Sequence, residues 1–363
     1  MNNDERYMDL CFKLAIKGAG YVSPNPLVGA LIVKDNEIIS TGFHEKYGGA
    51  HAEANAIKSA NTNLKGCTLY CNLEPCVHTN KQTPPCVPLI IESGIKKVVV
   101  ANLDPNPEVN GKGITKLLEN GIEVRYGIME EKGKYINRFF FKYMKTKLPY
   151  VTLKIATSLD GRISLSNTEQ TWLTGPQSKV FVHKQRSTYD AILVGANTIN
   201  VDDPKLTVRE IKGRNPIRVI LDGNFNANIH SKVFNDKESR TIIIGSANAN
   251  KEKKEKFREK NIEIIEIEPI KTHYIELINV LRSLSKNNIT SLLIEGGGEV
   301  FSAFVKNNLA DEIMILTAPI NLGYGIDIIS FNKEDYILHY KEMIGNDLLT
   351  IYKKKENDVY WFN

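Results

Sequence analysis

Between Gly48 and Cys86 the chain reads GGAHAEANAIKSANTNLKGCTLYCNLEPCVHTNKQTPPC, and this stretch limits the possible folds more than any other. His51, Cys76 and Cys86 offer one nitrogen and two sulfur donors. They can act together only if the fold brings the start of a helix-like run and two Pro-Cys turns to one point. Three such donors leave the fourth position of a tetrahedral zinc open, which a catalytic site needs and a closed structural site lacks. Zinc there would lower the pKa of its water to about 7. Glu53, two residues beyond His51, is placed to shuttle the proton without being a ligand. Both cysteines read as lying at or near a helix N-terminus, where the partial positive charge and the metal favour thiolate. Singly, a histidine is usually structural and a Pro-Cys pair usually a turn over a buried thiol. The combination is hard to reach by chance.

A chain of 363 residues suits two domains of roughly 150 to 200 residues, each able to bury its own core. Helical and strand patterns alternate through DLCFKLAIKGAG, LVGALIVKDNEIISTG, a helix from about Ala52, CTLYCNL, a helix after Cys86, KKVVVAN, GITKLLENG and IEVRYG. That order implies an α/β sandwich. EEKGKYINRFFFKYMKTK reads as one amphipathic helix, and Leu148-Pro149 then breaks the pattern, which sets the domains at 1–146 and 147–363. The second part, with strands at YVTLKIATSLDG, AILVGA, IRVILDG, TIIIGS, IEIIEIE, SLLIEGGG and EIMILTAPI, implies a mainly parallel sheet covered by helices such as PQSKVFVHKQR and EVFSAFVKNNL.

Charge narrows the partners. A net charge of +5 spread along the chain favours small anionic molecules over nucleic acid. The run KEKKEKFREK interleaves glutamates with its lysines and reads as a solvated helix face. No apolar run approaches the ~20 residues of a membrane span and MNNDERYMDL has no apolar core of a signal peptide, so a cytoplasmic location is expected. The five cysteines all fall before residue 90, which suits reduced thiols, and Cys11, Cys67 and Cys71 read as core residues.

The zinc-deaminase pattern is H-x-E followed by P-C-x-x-C, but here nine residues separate the two cysteines. With its long loop ending in TPPC, and with SPNPLVGALIV, GFHEKYGGAHAEANA, NLEPC and DPNP around it, the chain resembles the bifunctional riboflavin-biosynthesis deaminase/reductases. The resemblance continues through LKIATSLDGRIS, TWLTG, DAILVGANTINVDDPKLTVR and LLIEGGG, so it covers nearly the entire chain. It implies a cytidine-deaminase-like α/β/α domain followed by a dihydrofolate-reductase-like α/β domain that uses NADPH. By position, Asn25, His44, His78, Lys81, Asp104 and Asn106 would surround a pyrimidine and its ribose phosphate. The family usually reads H-x-G-[K/R]-T-P-P-C, whereas Asn80 stands here in the glycine's place and Gln82 is an insertion.

In the second domain EGGGEVFSAFVKNNL is a strand, a glycine turn and a helix start able to hold phosphate, though not a G-x-G-x-x-G fingerprint. The resemblance puts Ala156, Trp172, Thr198, Asp202, Gly297, Gly298, Glu299 and Val300 against NADPH. It turns Lys154, Gln170, Arg186, Leu206, Arg209 and Glu295 toward the substrate, with Gln170 where the family often has serine. Gly223 likewise stands where a hydroxyl side chain is common.

The implied chemistry is zinc-dependent deamination of a diaminopyrimidinone ribosyl phosphate, then NADPH-dependent reduction of its ribosyl group to ribityl, in a homo-oligomer. Two other readings stand beside it. A nucleic-acid base deaminase with an accessory binding domain would need a concentrated basic or aromatic face, and none is visible. A binding module around a structural metal would not need Glu53 or an open ligand position.

Overall fold

Strands buried on both faces need nearly unbroken apolar runs, and the runs GALIVK, TLYCNL and KVVVAN form the middle of one sheet while AILVG, SLLI and EIMILT join another. The protein, seen in a computed structural model, is described over residues 2–78, 83–166, 168–169, 171–271, 274–328, 331–332 and 334–355. It divides into two units, Met1–Lys147 and Leu148–Asn363. The expected residues Lys81 and Gln170 lie outside the described residues.

In the first unit α1 (Asn3–Ala15) precedes a hairpin of β1 (Gly29–Lys34) and β2 (Glu37–Phe43). There follow α2 (Ala52–Ser59), β3 (Thr68–Leu73), α3 (Cys86–Glu92), β4 (Lys97–Asn102), α4 (Lys112–Glu119), β5 (Glu123–Tyr126), α5 (Glu130–Ile136) and α6 (Arg138–Thr146). The sheet order is β2-β1-β3-β4-β5, antiparallel across the first three strands and parallel across the last three. Alternation along each strand splits the core into two layers. Leu31, Tyr70 and Val99 meet Met8 and Phe12 of α1 on one face. Ile32, Leu69 and Val98 meet Ala56 of α2, Ile90 of α3 and Leu117 of α4 on the other.

One expectation fails here. The run after Glu130 is two helices rather than one, because Asn137 leaves helical geometry at φ −99° and ψ 19°. Its buried side chain instead takes the Leu27 N–H at 2.7 Å and donates to the Leu27 carbonyl at 2.9 Å. That pair of bonds to a segment 110 residues away outweighs the continuity of one helix.

The second unit contains β6 (Tyr150–Thr157), β7 (Arg162–Ser164), α7 (Pro176–Thr188), β8 (Ala191–Gly195), α8 (Ala196–Asp202), β9 (Ile217–Leu221) and β10 (Thr241–Ser246). It continues with α9 (Lys251–Glu259), β11 (Glu263–Ile267), α10 (Leu277–Lys286), β12 (Ser291–Ile294), α11 (Gly298–Lys306), β13 (Glu312–Thr317), β14 (Ile326–Asp327), β15 (Tyr336–Ile344) and β16 (Asp347–Lys354). Its main sheet runs β11-β10-β9-β8-β12-β6-β13-β16-β15. Every neighbouring pair from β11 to β13 is parallel, as expected. The β15–β16 hairpin, which was not expected, adds antiparallel strands at the β13 edge. Ala191 and Leu193 face the core under α10 and α11, while Ile192 and Val194 face that under α8 and α9. The run KEKKEKFREK forms α9, mostly exposed, with Lys254 alone of its lysines turned inward onto Glu266 at 2.8 Å.

Candidate functional site

In an open α/β sheet, ligand-facing loops collect at the carboxyl ends of the strands. In the first unit His51 is the N-cap of α2, Cys76 follows β3, and Cys86 opens α3. His51 Nδ1 stands 3.4 Å from both Cys76 Sγ and Cys86 Sγ. The three donor atoms lie within 4.8 Å of one another, the one such cluster among the described residues. Such a nitrogen and two sulfurs, close enough to share protons that a cation would replace, fit zinc. Cys86 begins α3, whereas Cys76, in the loop after β3, is not itself part of a helix. The helix start reaches it all the same, since the Cys86 N–H donates to Cys76 Sγ at 3.4 Å.

The two thiols differ. The Cys86 thiol's hydrogen bond, aided by His51 and opposed by burial, takes Cys76 down to about 4. That same bond, and then burial, push Cys86 well above the ordinary thiol range. Glu53, 3% exposed in the first turn of α2, is pushed up to about 7 by burial, with His51 opposing the rise. A carboxyl near 7 can both accept and return a proton at neutral pH. Cys11, Cys67 and Cys71 are buried free thiols.

Around the cluster, His44 Nε2 stands 3.2 Å from Asn25 Nδ2 and His44 Nδ1 3.0 Å from the Ala50 carbonyl. One tautomer of neutral imidazole satisfies both contacts, and burial lowers the His44 pKa in the same direction. The rings of His44 and His78 meet His51 edge-on at 5.5 and 6.3 Å between centroids. His78 Nδ1 is buried and has no hydrogen-bond partner among the described residues. Asp104 and Asn106 lie just beyond β4, whose Asn102 pairs with Leu73 of β3.

In the second unit another polar cluster gathers at the end of β12, the strand between β8 and β6 in the sheet. Glu295 follows β12 and receives Arg186 through two parallel bonds of 2.8 Å. Lys154 of β6 approaches the same carboxylate at 3.5 Å. Arg186 Nη1 also donates to the Thr207 carbonyl at 3.2 Å, and Arg209 Nη1 donates to Thr207 Oγ1 at 2.9 Å. Leu206, buried beside Thr207, has a positive φ of 55°.

Thr198 of α8 stands under the glycine turn. A Cβ on Gly296 or Gly297 would come within 3.3 or 3.4 Å of its side chain, so the turn already lies close over α8. Gly297 caps α11, and Gly298, Glu299 and Val300 form its first turn, where free N–H groups suit a phosphate. Asp202 ends α8, with its pKa raised by burial. Ala156 lies on β6. Trp172 stands 74% exposed on the segment before α7, outside the packed cluster.

Comparison with known proteins decides the family. Residues 149–342 match the model of the RibD C-terminal domain, and residues 1–102 match the cytidine and deoxycytidylate deaminase zinc-binding region. The chain is 40% identical to the riboflavin biosynthesis protein RibD of Aquifex aeolicus, across 97% of this chain and 98% of that one. The chain belongs to the RibD family. It is 41% identical to the Bacillus amyloliquefaciens RibD over 88% of this chain and 85% of that relative. The crystal structure of a diaminohydroxyphosphoribosylaminopyrimidine deaminase/5-amino-6-(5-phosphoribosylamino)uracil reductase from Thermotoga maritima superposes with a TM-score of 0.86, at 37% identity, covering 97% of this chain and 99% of that one. Acinetobacter baumannii RibD gives 0.85 at 34% identity, covering 98% and 99%. As a RibD-family member the chain is a bifunctional enzyme of riboflavin biosynthesis, a deaminase and a reductase, with zinc and NADPH as cofactors. The expected folds, a cytidine-deaminase-like α/β/α domain and a dihydrofolate-reductase-like α/β domain, stand.

Sequence reasoning missed several residues that bond to the clusters described above or to residues near them. Thr83, whose Oγ1 lies 3.0 Å from His51 Nε2, was present in the TPPC motif, but only its cysteine was used. Glu74 of NLEPC was likewise read only for its cysteine. His183, buried in α7 and accepting the Arg209 N–H at 2.9 Å, carried no signal in its surroundings.

Proposed function

We propose that His51, Cys76 and Cys86 hold the zinc of the deaminase and that Glu53 moves its protons. The substrate is 2,5-diamino-6-ribosylamino-4(3H)-pyrimidinone 5′-phosphate. When bound, zinc supplies a water acidified to a pKa of about 7 as nucleophile toward the amino-bearing C2. Glu53 as carboxylate takes the proton of the attacking water, and as acid gives it to the departing ammonia. Its buried position near 7 suits both duties. Asn25 and His44 form a prearranged polar wall, and the buried His78 Nδ1, without a hydrogen-bond partner among the described residues, offers a group that a bound pyrimidine or ribose phosphate satisfies. Lys81, Asp104 and Asn106 complete the substrate contacts in this reading.

When bound, NADPH would supply the hydride that reduces C1′ of the ring-opened ribosyl imine. Thr198, Asp202 and the turn of Gly297, Gly298, Glu299 and Val300 hold that cofactor, with Ala156 and the exposed Trp172 against it. Lys154, Gln170, Arg186, Leu206, Arg209 and Glu295 face the substrate. Arg209, exposed yet pinned to Thr207, presents a guanidinium fork that suits a phosphate. Lys154 steadies the imine stage by its charge.

Each activity is confined to one domain, 1–146 for the deaminase and 147–363 for the reductase, and the enzyme is cytoplasmic. Among the described residues no helix is long and apolar enough to cross a membrane. A homo-oligomer is supported by the edge strand β15, which exposes Ile337, Leu338, Tyr340 and Met343.

The observation that carries the reading is the meeting of His51, Cys76 and Cys86 beside a buried carboxyl. The test incubates the enzyme with the diaminopyrimidinone substrate and follows ammonia and NADPH together. Ammonia release should precede NADPH oxidation, and NADPH consumption without prior deamination would overturn the order of steps.

A further inference from the structure

We propose that Glu74 is a positioning residue of the deaminase, which sets the substrate loop of residues 104–114 by gripping its main chain. The proposal rests on the reading of Asp104 and Asn106 as substrate contacts. Glu74 is 3% exposed, between the end of β3 and Cys76. Its Oε2 accepts the N–H groups of Asp104 at 3.1 Å and Gly111 at 3.0 Å. Its Oε1 accepts those of Gly113 at 2.9 Å and Ile114 at 3.3 Å. A carboxylate has about four acceptor sites, so one loop engages the full capacity of this side chain.

The grip takes both ends of the loop. Asp104 stands just beyond β4, and Gly111 to Ile114 are the N-cap and first turn of α4. Between them the loop closes on itself, with Asp104 Oδ1 accepting the Asn106 N–H at 2.8 Å and Asn110 Nδ2 donating to the Asp104 carbonyl at 3.0 Å. Glu74 is tied in turn to β4, its N–H donating to the Asn102 carbonyl at 2.9 Å. Gly113 permits the approach, because a Cβ there would stand 2.2 Å from the Pro75 carbonyl oxygen. One buried carboxylate thus couples the segment carrying Cys76 to the segment carrying Asp104 and Asn106. Losing the grip should misplace the substrate more than it disturbs the chemistry.

Glu74→Gln keeps the shape but turns one oxygen into an amide NH₂ that faces two N–H donors. In the full-length enzyme, zinc content and reductase kcat/KM should stay at wild-type values. Deaminase KM should rise roughly tenfold, about the worth of one lost hydrogen bond to a positioned group, with kcat falling much less. Hydrogen exchange at residues 104–114 should quicken. Faster exchange with unchanged KM would make Glu74 merely structural, and a changed KM with unchanged exchange would remove the grip as its cause; either overturns the proposal.

Gly111→Ala is a gentler variant, because the added methyl meets nothing within 4 Å and strains only a φ of 73°. It should raise KM in the same direction, and a wild-type KM beside faster exchange counts against the proposal. Asn106→Ala separates the two layers of inference. If its KM is unchanged, the substrate reading of the loop falls; if its KM rises while that of Glu74→Gln does not, only the positioning role falls.

Discussion

Arg186 meets Glu295 face to face, through Nε and Nη2 bonds of 2.8 Å each, and both side chains are nearly buried. Burial alone would raise the Glu295 carboxyl, but Arg186 and then Lys154 outweigh it and hold the group at about 2, against 4.5 for a free glutamate. A depressed carboxyl stabilises the fold above its unfolded pKa and loses that contribution as pH falls toward the folded one. The gap corresponds to about 3 kcal/mol, within the range for breaking a buried pair. The stability of the second unit should therefore decline between about pH 4.5 and 2. Glu295→Gln should cost most of that amount at neutral pH and flatten the acid limb. Denaturant melts of both proteins across pH check it, and coincident curves would show that the pair contributes nothing.

Glu53→Gln removes the proposed proton carrier while leaving the three donors in place. Ammonia release should fall about 10²- to 10⁴-fold, the usual worth of a placed acid–base group. Bound zinc per chain and the reductase rate should be unchanged. Metal analysis beside an ammonia assay decides it, and wild-type ammonia release takes Glu53 out of the mechanism.

The fold was legible where strands are buried on both faces, since runs such as AILVG and KVVVAN leave little choice. The β15–β16 hairpin was not, because YILHYKEMI is almost entirely exposed and no two-sided burial shapes its pattern. The break at Asn137 was equally hidden, its cause being a partner at Leu27. The meeting of His51, Cys76 and Cys86 was readable because these residues lie within one short stretch. Glu74 and His183 were not, since their partners lie up to 40 and 26 residues further along the chain and only the fold brings them together.

Thr83 should tune zinc affinity through His51. A proton on His51 Nε2, donated to Thr83 Oγ1 at 3.0 Å, leaves the Nδ1 lone pair toward the two sulfurs. Removing such an outer partner typically weakens metal binding about 10- to 100-fold. Thr83→Val should show that loss in chelator competition, whereas Thr83→Ser should restore most of the affinity. Equal affinity in all three proteins would leave the hydroxyl without a role at the metal.

His183 should tie the pH response of the reductase to Arg209. Its Nδ1 accepts the Arg209 N–H at 2.9 Å, so the ring must be neutral there. Burial, and then the charges of Arg186 and Arg209, push it down to about 4. A histidine lowered in this way stabilises the fold above its ordinary pKa of about 6.5 and loses that contribution as pH falls toward 4. Reductase KM should be level above about pH 6.5 and climb below about pH 5, as the protonated ring repels Arg209. Replacing the ring by leucine removes the acceptor at every pH. His183→Leu should therefore have a raised KM of roughly tenfold, about the effect of one lost hydrogen bond to a positioned group, with no further pH-dependent climb from this residue. A His183→Leu profile that keeps the wild-type climb would assign the titration to another group.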